Sequence, residues 1–427
     1  MGDGHRLSET RSGVRVVTEA MPSVRSLALS LSVRTGSRDE TPAQAGISHF
    51  LEHLLFKGTD RFGSTEIDEF FDGIGAEVNA GTSVETTTLY SRFLDQHLES
   101  AFDVMSDMFL RPAYHDVDPE RQVIIEEIAM YEDEPSDTVH DVLSKAIFGD
   151  SPLGRPVIGT AEVIANVPVD EVAAYHSQRY GGQRIVVAAA GSVDHDRLVA
   201  LVEAASEGVT TGEPDASAEA ADIRPRVGFR QKKDAEQAHV CVGAPGIARA
   251  DERRFTLRVL DTIFGGSTSS RLFQEVREKR GLAYAVYSFT SQFADSGKVG
   301  LYVGTRPDNA EKALGVIGDQ IERLREEPIP PGELERAKEN LKGRTVLAME
   351  STSARMSRLG SAVLMDLPLL SLDEVIERVE AVTADDVGEL ARELWAPDRL
   401  SSAAVAGDDA GFRAGIRTAL PALAEAA

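Results

Sequence analysis

The stretch on which the reading of this chain turns is His49-Phe50-Leu51-Glu52-His53-Leu54-Leu55-Phe56-Lys57-Gly58-Thr59. His49 and His53 are four residues apart, so on a helix they rise about 6 Å along one face and can converge on one ion. Zinc takes imidazole nitrogens at about 2.0–2.1 Å. Glu52 lies beside that face, and a carboxylate there can take a proton from a water at the metal. Leu51, Leu54 and Leu55 pack the same helix inward. Catalytic zinc ordinarily has a third protein ligand and keeps one position open for water. The segment Glu120-Arg121-Gln122-Val123-Ile124-Ile125-Glu126-Glu127-Ile128 offers candidates for that third ligand. Glu120 and Glu127, seven apart, share a helical face with Val123 and Ile124 between them, whereas Glu126 points elsewhere. A carboxylate on an apolar face needs a metal or a partner to offset its desolvation.

Working outward from the motif, the chain reads as one unit present twice. The first copy opens with a strand at Val14 to Thr18, then an alternating strand with Leu27, Leu29, Leu31 and Val33 on one face. The motif helix follows, then a helix near Thr65 to Asp72 and a Val- and Thr-rich extended stretch from Ala76 to Phe93. Helical patterns at Asp95 to Leu110, Pro119 to Tyr131 and Val169 to Tyr180 precede a closing strand, Arg184 to Ala190. Residues 207–221, rich in Gly, Pro, Ser, Thr and Asp, read as a linker. The second copy repeats the order: a strand (Ala238 to Gly243), a helix (Glu252 to Phe264), strands near Ala283 to Thr290 and Lys298 to Gly304, helices Asn309 to Glu326 and Pro331 to Met349, and a closing strand near Arg399 to Val405. The expected domains are 1–210, a linker at 211–225, and 226–427.

The repeat separates scaffold from chemistry. Aligning Phe56 with Phe264 sets Leu257, Leu260 and Asp261 opposite His49, Glu52 and His53. Aligning Glu120-Arg121 with Glu335-Arg336 sets Lys342 opposite Glu127. A polar cluster kept in only one of two like frames is not there for folding. The Gly265-Gly266 turn lacks a following Lys-Ser/Thr, which argues against a phosphate loop.

Composition narrows the function classes. The 427 residues are 42% hydrophobic and 27% charged, an ordinary globular balance, and allow at least two cores. A net charge of -25 repels phosphate backbones, which argues against nucleic-acid binding. No run approaches the roughly 20 apolar residues of a membrane span, and Met1 to Thr10 lacks an apolar signal core. The single cysteine, Cys241, rules out an internal disulfide or a cysteine-based metal site and reads as a small buried hydrophobe. A soluble cytoplasmic protein is expected.

The motif resembles the inverted zinc motif of the pitrilysin family of metallopeptidases, in the branch of the mitochondrial processing peptidase β subunit and its bacterial relatives. The resemblance runs over nearly the whole chain, including the segments Gly75 to Tyr90 and Glu120 to Asp141. It implies an α+β fold of two homologous domains, each a mainly antiparallel sheet covered by helices, together forming half of a clamshell. It implies one Zn2+ per chain held by His49, His53 and Glu127, with Glu52 as general base and Glu120 supporting the site from outside the ligand set. Asn79-Ala80 matches a strand whose edge pairs with the substrate backbone. Asp137 and Asp141 match acidic positions that recognise an arginine before the cut. Arg277 and Tyr284 match an Arg/Tyr pair that contacts substrate from the non-zinc half. The implied activity is endopeptidase cleavage of short or unfolded peptides in an enclosed chamber. Zinc motif and Arg/Tyr pair on one two-repeat chain imply a homodimer. The rival expectation is a non-catalytic peptide-binding scaffold of the same fold.

Overall fold

The computed structural model describes residues 4–212 and 223–424. The linker expected at 211–225 therefore lies mostly outside the described residues. Two sheets organise the chain. The first contains β1 (His5–Glu9), β2 (Arg15–Ala20), β3 (Ser26–Val33), β4 (Glu77–Thr82), β5 (Thr87–Leu94) and β6 (Ile185–Gly191). Its order is β1-β2-β6-β3-β5-β4. The second contains β7 (Val227–Gln231), β8 (Ala238–Gly246), β9 (Ala283–Gln292), β10 (Gly297–Thr305) and β11 (Ser401–Ala406), in the order β7-β11-β8-β10-β9.

Apart from the extra β1, the two sheets have one topology. In each, the opening strand lies parallel to the closing strand, β2 to β6 and β7 to β11, and every other pairing is antiparallel. In each, a helix stands between the second and third strands of the repeat: Ile47–Leu54 in the first and Arg254–Phe264 in the second. The mainly antiparallel α+β fold in two like domains is what the family resemblance implied.

Compactness follows a different division from the contiguous halves expected. One compact unit combines residues 4–129, 156–212 and 346–371; the other combines 130–155, 223–345 and 372–424. The helix Pro135–Phe148, from the first half of the sequence, packs on β11, β8 and β7. The helix Thr352–Leu364, from the second half, packs on β6, β3 and β2. The second case explains a departure from the sequence reading of β3. Alternation predicted one apolar face, yet β3 is buried on both. Leu27, Leu29, Leu31 and Val33 join the main core of the first unit. Ala28 faces the other way and meets Met356, Leu359 and Val363 together with Val17, Val186, Ala188 and Ala190. Small side chains here let a helix approach closely; a Cβ on Gly360 would sit 3.0 Å from that of Ala188. Each large apolar side chain so covered contributes about 1.5–3 kcal/mol.

Candidate metal centre

The motif helix, Ile47–Leu54, buries Ile47, Phe50, Leu51 and Leu54 in the core of the first unit and leaves His49, Glu52 and His53 half-buried on its other side. Its N-terminus is held by a residue absent from the sequence reading. Glu40 accepts from the backbone N–H of Gly46 at 2.8 Å and of Ser48 at 2.9 Å, so one buried carboxylate satisfies two otherwise unpaired helix donors. Gly46 itself has φ 96°, and a Cβ there would lie 2.8 Å from the Ile158 carbonyl oxygen. The Tyr175 hydroxyl, 2.9 Å from Ser48 Oγ, ties the same turn to the helix Val169–Arg179.

The third donor comes from the helix Val117–Glu132. Arg121 fastens that helix. Its guanidinium donates to the carbonyls of Ile164 and Val167 and lies 5.2 Å over the Phe50 ring, which links it directly to the motif helix. Glu127 then meets both imidazoles: Oε1 is 3.7 Å from His49 Nε2 and Oε2 is 3.3 Å from His53 Nε2. One donor atom from each of His49, His53 and Glu127 lies within 4.8 Å of the others. Two imidazole nitrogens and a carboxylate oxygen are a zinc donor set.

Three further observations fit a metal. Burial first, and then the neighbouring His53, lower the His49 pKa from 6.5 to about 4, which keeps the imidazole neutral and able to ligate at neutral pH. His49 Nδ1 and Glu52 Oε2 are buried with no hydrogen-bond partner in the protein. His53 Nδ1 donates to Glu120 Oε1 at 2.7 Å, which fixes the ring with Nε2 toward Glu127. Glu120 is 5% exposed and is offset by that bond and by Lys57 Nζ at 2.6 Å. Lys57 was in plain view within the motif, and an acidic partner for it could have been sought there.

The other candidate residues are distributed as follows. Asn79 and Ala80 lie on β4, which among the described residues pairs only with β5, at Tyr90 and Leu89, and so leaves one edge of the first sheet free of a described strand. Arg277 and Tyr284 form a pair within the second unit: the guanidinium lies 4.5 Å over the Tyr284 ring and donates to the Tyr284 carbonyl at 3.0 Å. The Tyr284 side chain is 79% exposed. Asp137 and Asp141 both ride on the helix Pro135–Phe148 and belong to the second unit. Asp137 is exposed, whereas the Asp141 carboxylate accepts from the Tyr131 hydroxyl at 2.9 Å and its pKa is raised by burial. Cys241 is fully buried, as its composition suggested.

Fold and site define a class: a two-repeat α+β protein carrying a histidine–histidine–glutamate group able to hold a metal ion, with a carboxylate beside it. The model described as Insulinase (Peptidase family M16) matches residues 15–161, and that described as Peptidase M16 inactive domain matches residues 166–341. A protein of Streptomyces coelicolor, described as an uncharacterized zinc protease, is 45% identical over 394 residues, covering 90% of this chain and 85% of that one. Another, from Bacillus subtilis, is 41% identical over 396 residues, covering 91% and 95%. Among solved structures, a peptidase M16 inactive domain from Pseudomonas fluorescens has a TM-score of 0.88 at 21% identity, covering 94% of this chain and 98% of that one. A protease from Helicobacter pylori has a TM-score of 0.87 at 20% identity, covering 94% and 99%. These two structures speak to the fold alone. The chain belongs to peptidase family M16, the pitrilysin family.

Proposed function

We propose that this chain is a zinc endopeptidase for short or unfolded peptides, with His49, His53 and Glu127 holding one zinc per chain and Glu52 as general base. The observation that carries the reading is the convergence of those three donors beside a Glu52 carboxylate oxygen that is buried without a partner. When bound, zinc supplies Lewis acidity toward the scissile carbonyl and acidifies the attacking water. Glu52 accepts the proton that water loses and delivers it to the leaving amine. Glu120, through His53 Nδ1, keeps one ligand oriented without touching the substrate.

The free edge of β4 supports backbone recognition. An extended peptide added beside Asn79 and Ala80 is gripped by main-chain hydrogen bonds with little regard to sequence. The exposed Tyr284 phenol can donate to an oxygen gaining negative charge, and Arg277 stacked on it can hold a carbonyl or carboxylate. Asp137, exposed and acidic, suits a basic side chain, whereas Asp141 is engaged with Tyr131. Zinc donors and the Arg/Tyr pair on one chain support a homodimer with two sites. Cytoplasmic residence is supported by the single, buried cysteine, which calls for no oxidising compartment. Among the described residues no helix is long and apolar enough to cross a membrane.

A peptide-binding scaffold is the second reading, favoured by the inactive-domain match. That match covers residues 166–341 and leaves His49, Glu52, His53 and Glu127 outside it. The experiment is cleavage of a quenched fluorescent library of unstructured peptides, with and without chelator, beside Glu52→Gln. Chelator-sensitive cleavage, restored by zinc and reduced by about 10²–10⁴ in Glu52→Gln, is the expected result. A folded, zinc-loaded wild type that cleaves no peptide removes the peptidase reading and leaves the scaffold.

A further inference from the structure

Between β3 and the motif helix, three consecutive residues each reach a different element. Glu40 accepts from the N–H groups of Gly46 and Ser48 at the start of the motif helix. Asp39 accepts from the Arg179 guanidinium, at 3.3 Å on its carboxylate and 3.0 Å on its carbonyl, at the end of the helix Val169–Arg179. Arg38 donates to Glu85 Oε1 at 2.6 Å. Glu85 stands in the turn at residues 83–86 that joins β4 to β5. The backbone follows the same path. The N–H groups of Ser37 and Arg38 donate to the carbonyls of Ser83 and Val84 at 3.2 and 2.8 Å. The Thr87 hydroxyl donates to the Thr35 carbonyl at 3.2 Å. The approach is close, for a Cβ on Gly36 would lie 2.2 Å from the Ser83 carbonyl oxygen. The turn is thus pinned to the segment that also caps the motif helix, and all of these residues belong to one compact unit.

The Arg38 and Glu85 side chains are only 10% and 9% exposed. A buried ion pair adds little net stability, because desolvating both charges offsets their attraction. What it supplies is direction, since a planar guanidinium admits a carboxylate in few orientations. The direction matters at this place in the fold. β4 carries Asn79 and Ala80 and ends at Thr82, one residue before the pinned turn. The Thr82 hydroxyl reaches the Ser48 carbonyl of the motif helix at 3.5 Å. The motif helix carries His49, Glu52 and His53. One short segment therefore holds both the end of the strand and the start of the helix. A displacement of about 1 Å between a bound peptide and the reacting groups can cost about 10² in rate.

We propose that Arg38, through its buried pair with Glu85, is a positioning residue for peptide cleavage. It holds the edge of β4, and the peptide backbone added to that edge, in place against the metal donors. Arg38 itself lies outside the donor set and acts on the substrate only through β4. Asp39 and Glu40 anchor the same segment to the two helices, so the pair fixes the strand to a braced support rather than to a free loop. The inference rests on the peptidase reading above and on peptide addition at β4.

The test compares the full-length, zinc-loaded wild type with Glu85→Gln, with Arg38→Lys, and with the double variant Arg38→Gln, Glu85→Gln. The double variant leaves no charge at the buried pair and so answers for a Glu85→Gln chain that does not fold. The first readout is kcat on a quenched fluorescent unstructured peptide, per bound zinc, in protein that keeps the wild-type circular dichroism. The second is affinity for a fluorescein-labelled copy of that peptide, by anisotropy, with Glu52→Gln added to each chain. The third is zinc affinity by competition with a chromophoric chelator. Glu85→Gln and the double variant are expected to lower kcat about 10²-fold at unchanged peptide and zinc affinities. Arg38→Lys, which keeps a cation within reach of Glu85, is expected to retain part of the rate. A pair that only stabilised the fold would reduce the amount of folded protein and leave kcat per folded, zinc-loaded molecule alone. Wild-type kcat in the folded variants therefore overturns the positioning role and leaves the peptidase reading standing. A fall in kcat matched by an equal fall in peptide or zinc affinity overturns it as well. A folded, zinc-loaded wild type that cleaves no peptide overturns both.

Discussion

At the scale of single residues, the proposed zinc donors depend on neighbours outside the donor set. Glu120 accepts from His53 Nδ1 and from Lys57, and is itself almost fully buried. Replacing it by Gln removes a charge that both neighbours use, while leaving the volume unchanged. Glu120→Gln is therefore expected to weaken zinc binding about 10–100-fold, read by competition with a chromophoric chelator, at unchanged circular dichroism. Unaltered affinity would reduce Glu120 to a local counter-charge for Lys57. The gathering of these side chains was legible in part from the sequence, because helical spacing sets which of them share a face: the four-residue step joins His49 to His53 and the seven-residue step joins Glu120 to Glu127. Which of the two glutamates serves as a ligand was implied by the family resemblance, not by spacing. Glu40 was not legible. It reaches the motif helix from a loop, and no periodicity relates a loop carboxylate to the N–H groups of Gly46 and Ser48.

At the scale of elements, two helix attachments make separate predictions. Glu40 caps the motif helix, so Glu40→Ala strands two donors at its buried N-terminus and is expected to cost about 1–2 kcal/mol in urea denaturation. A change below a few tenths would mean that water replaces the carboxylate. The helix Val169–Arg179 is attached through His176, whose Nε2 donates to the Phe109 carbonyl at 3.0 Å. Burial lowers the His176 pKa from 6.5 to about 4 in the folded chain. Between those values the unfolded chain binds the proton more readily, so stability is complete above pH 6.5 and falls as the pH drops toward 4. The loss from this group reaches about 3 kcal/mol at one pKa unit per ~1.4 kcal/mol. In His176→Gln the fall in denaturation midpoint between pH 7 and pH 4.5 is expected to be shallower than in the wild type, and parallel curves would refute the assignment. Element type along the chain was legible where the period is strong, as in β3 and the motif helix. The second buried face of β3 was not, because its cover comes from Met356 and Leu359, more than three hundred residues away in sequence.

At the scale of the whole molecule, the repeat in sequence and the unit in space are different divisions, and that difference can be tested. Apart from β1, the first sheet has the same strand order as the second, so each half of the sequence encodes a complete sheet. Neither half encodes a completely covered one. Residues 4–212 supply Val17, Ala28, Val186, Ala188 and Ala190 on one sheet face, and the Met356, Leu359, Val363 and Leu364 side chains that close it come from the Thr352–Leu364 helix. Conversely, the second sheet is covered by Pro135–Phe148, from which the half-buried Lys298 on β10 gains Ser144 Oγ at 2.7 Å as a partner for its ammonium. A fragment ending at residue 212 would expose an apolar sheet face, and one beginning at residue 223 would leave Lys298 without that hydroxyl. Each fragment alone is expected to be poorly soluble or to unfold without a sharp transition. Refolded together, the two are expected to recover a cooperative thermal transition, because each supplies the helix that the other lacks. Two fragments that each melt sharply alone, and gain nothing on mixing, would mean that the exchanged helices are dispensable and that the sequence repeat is also the folding unit.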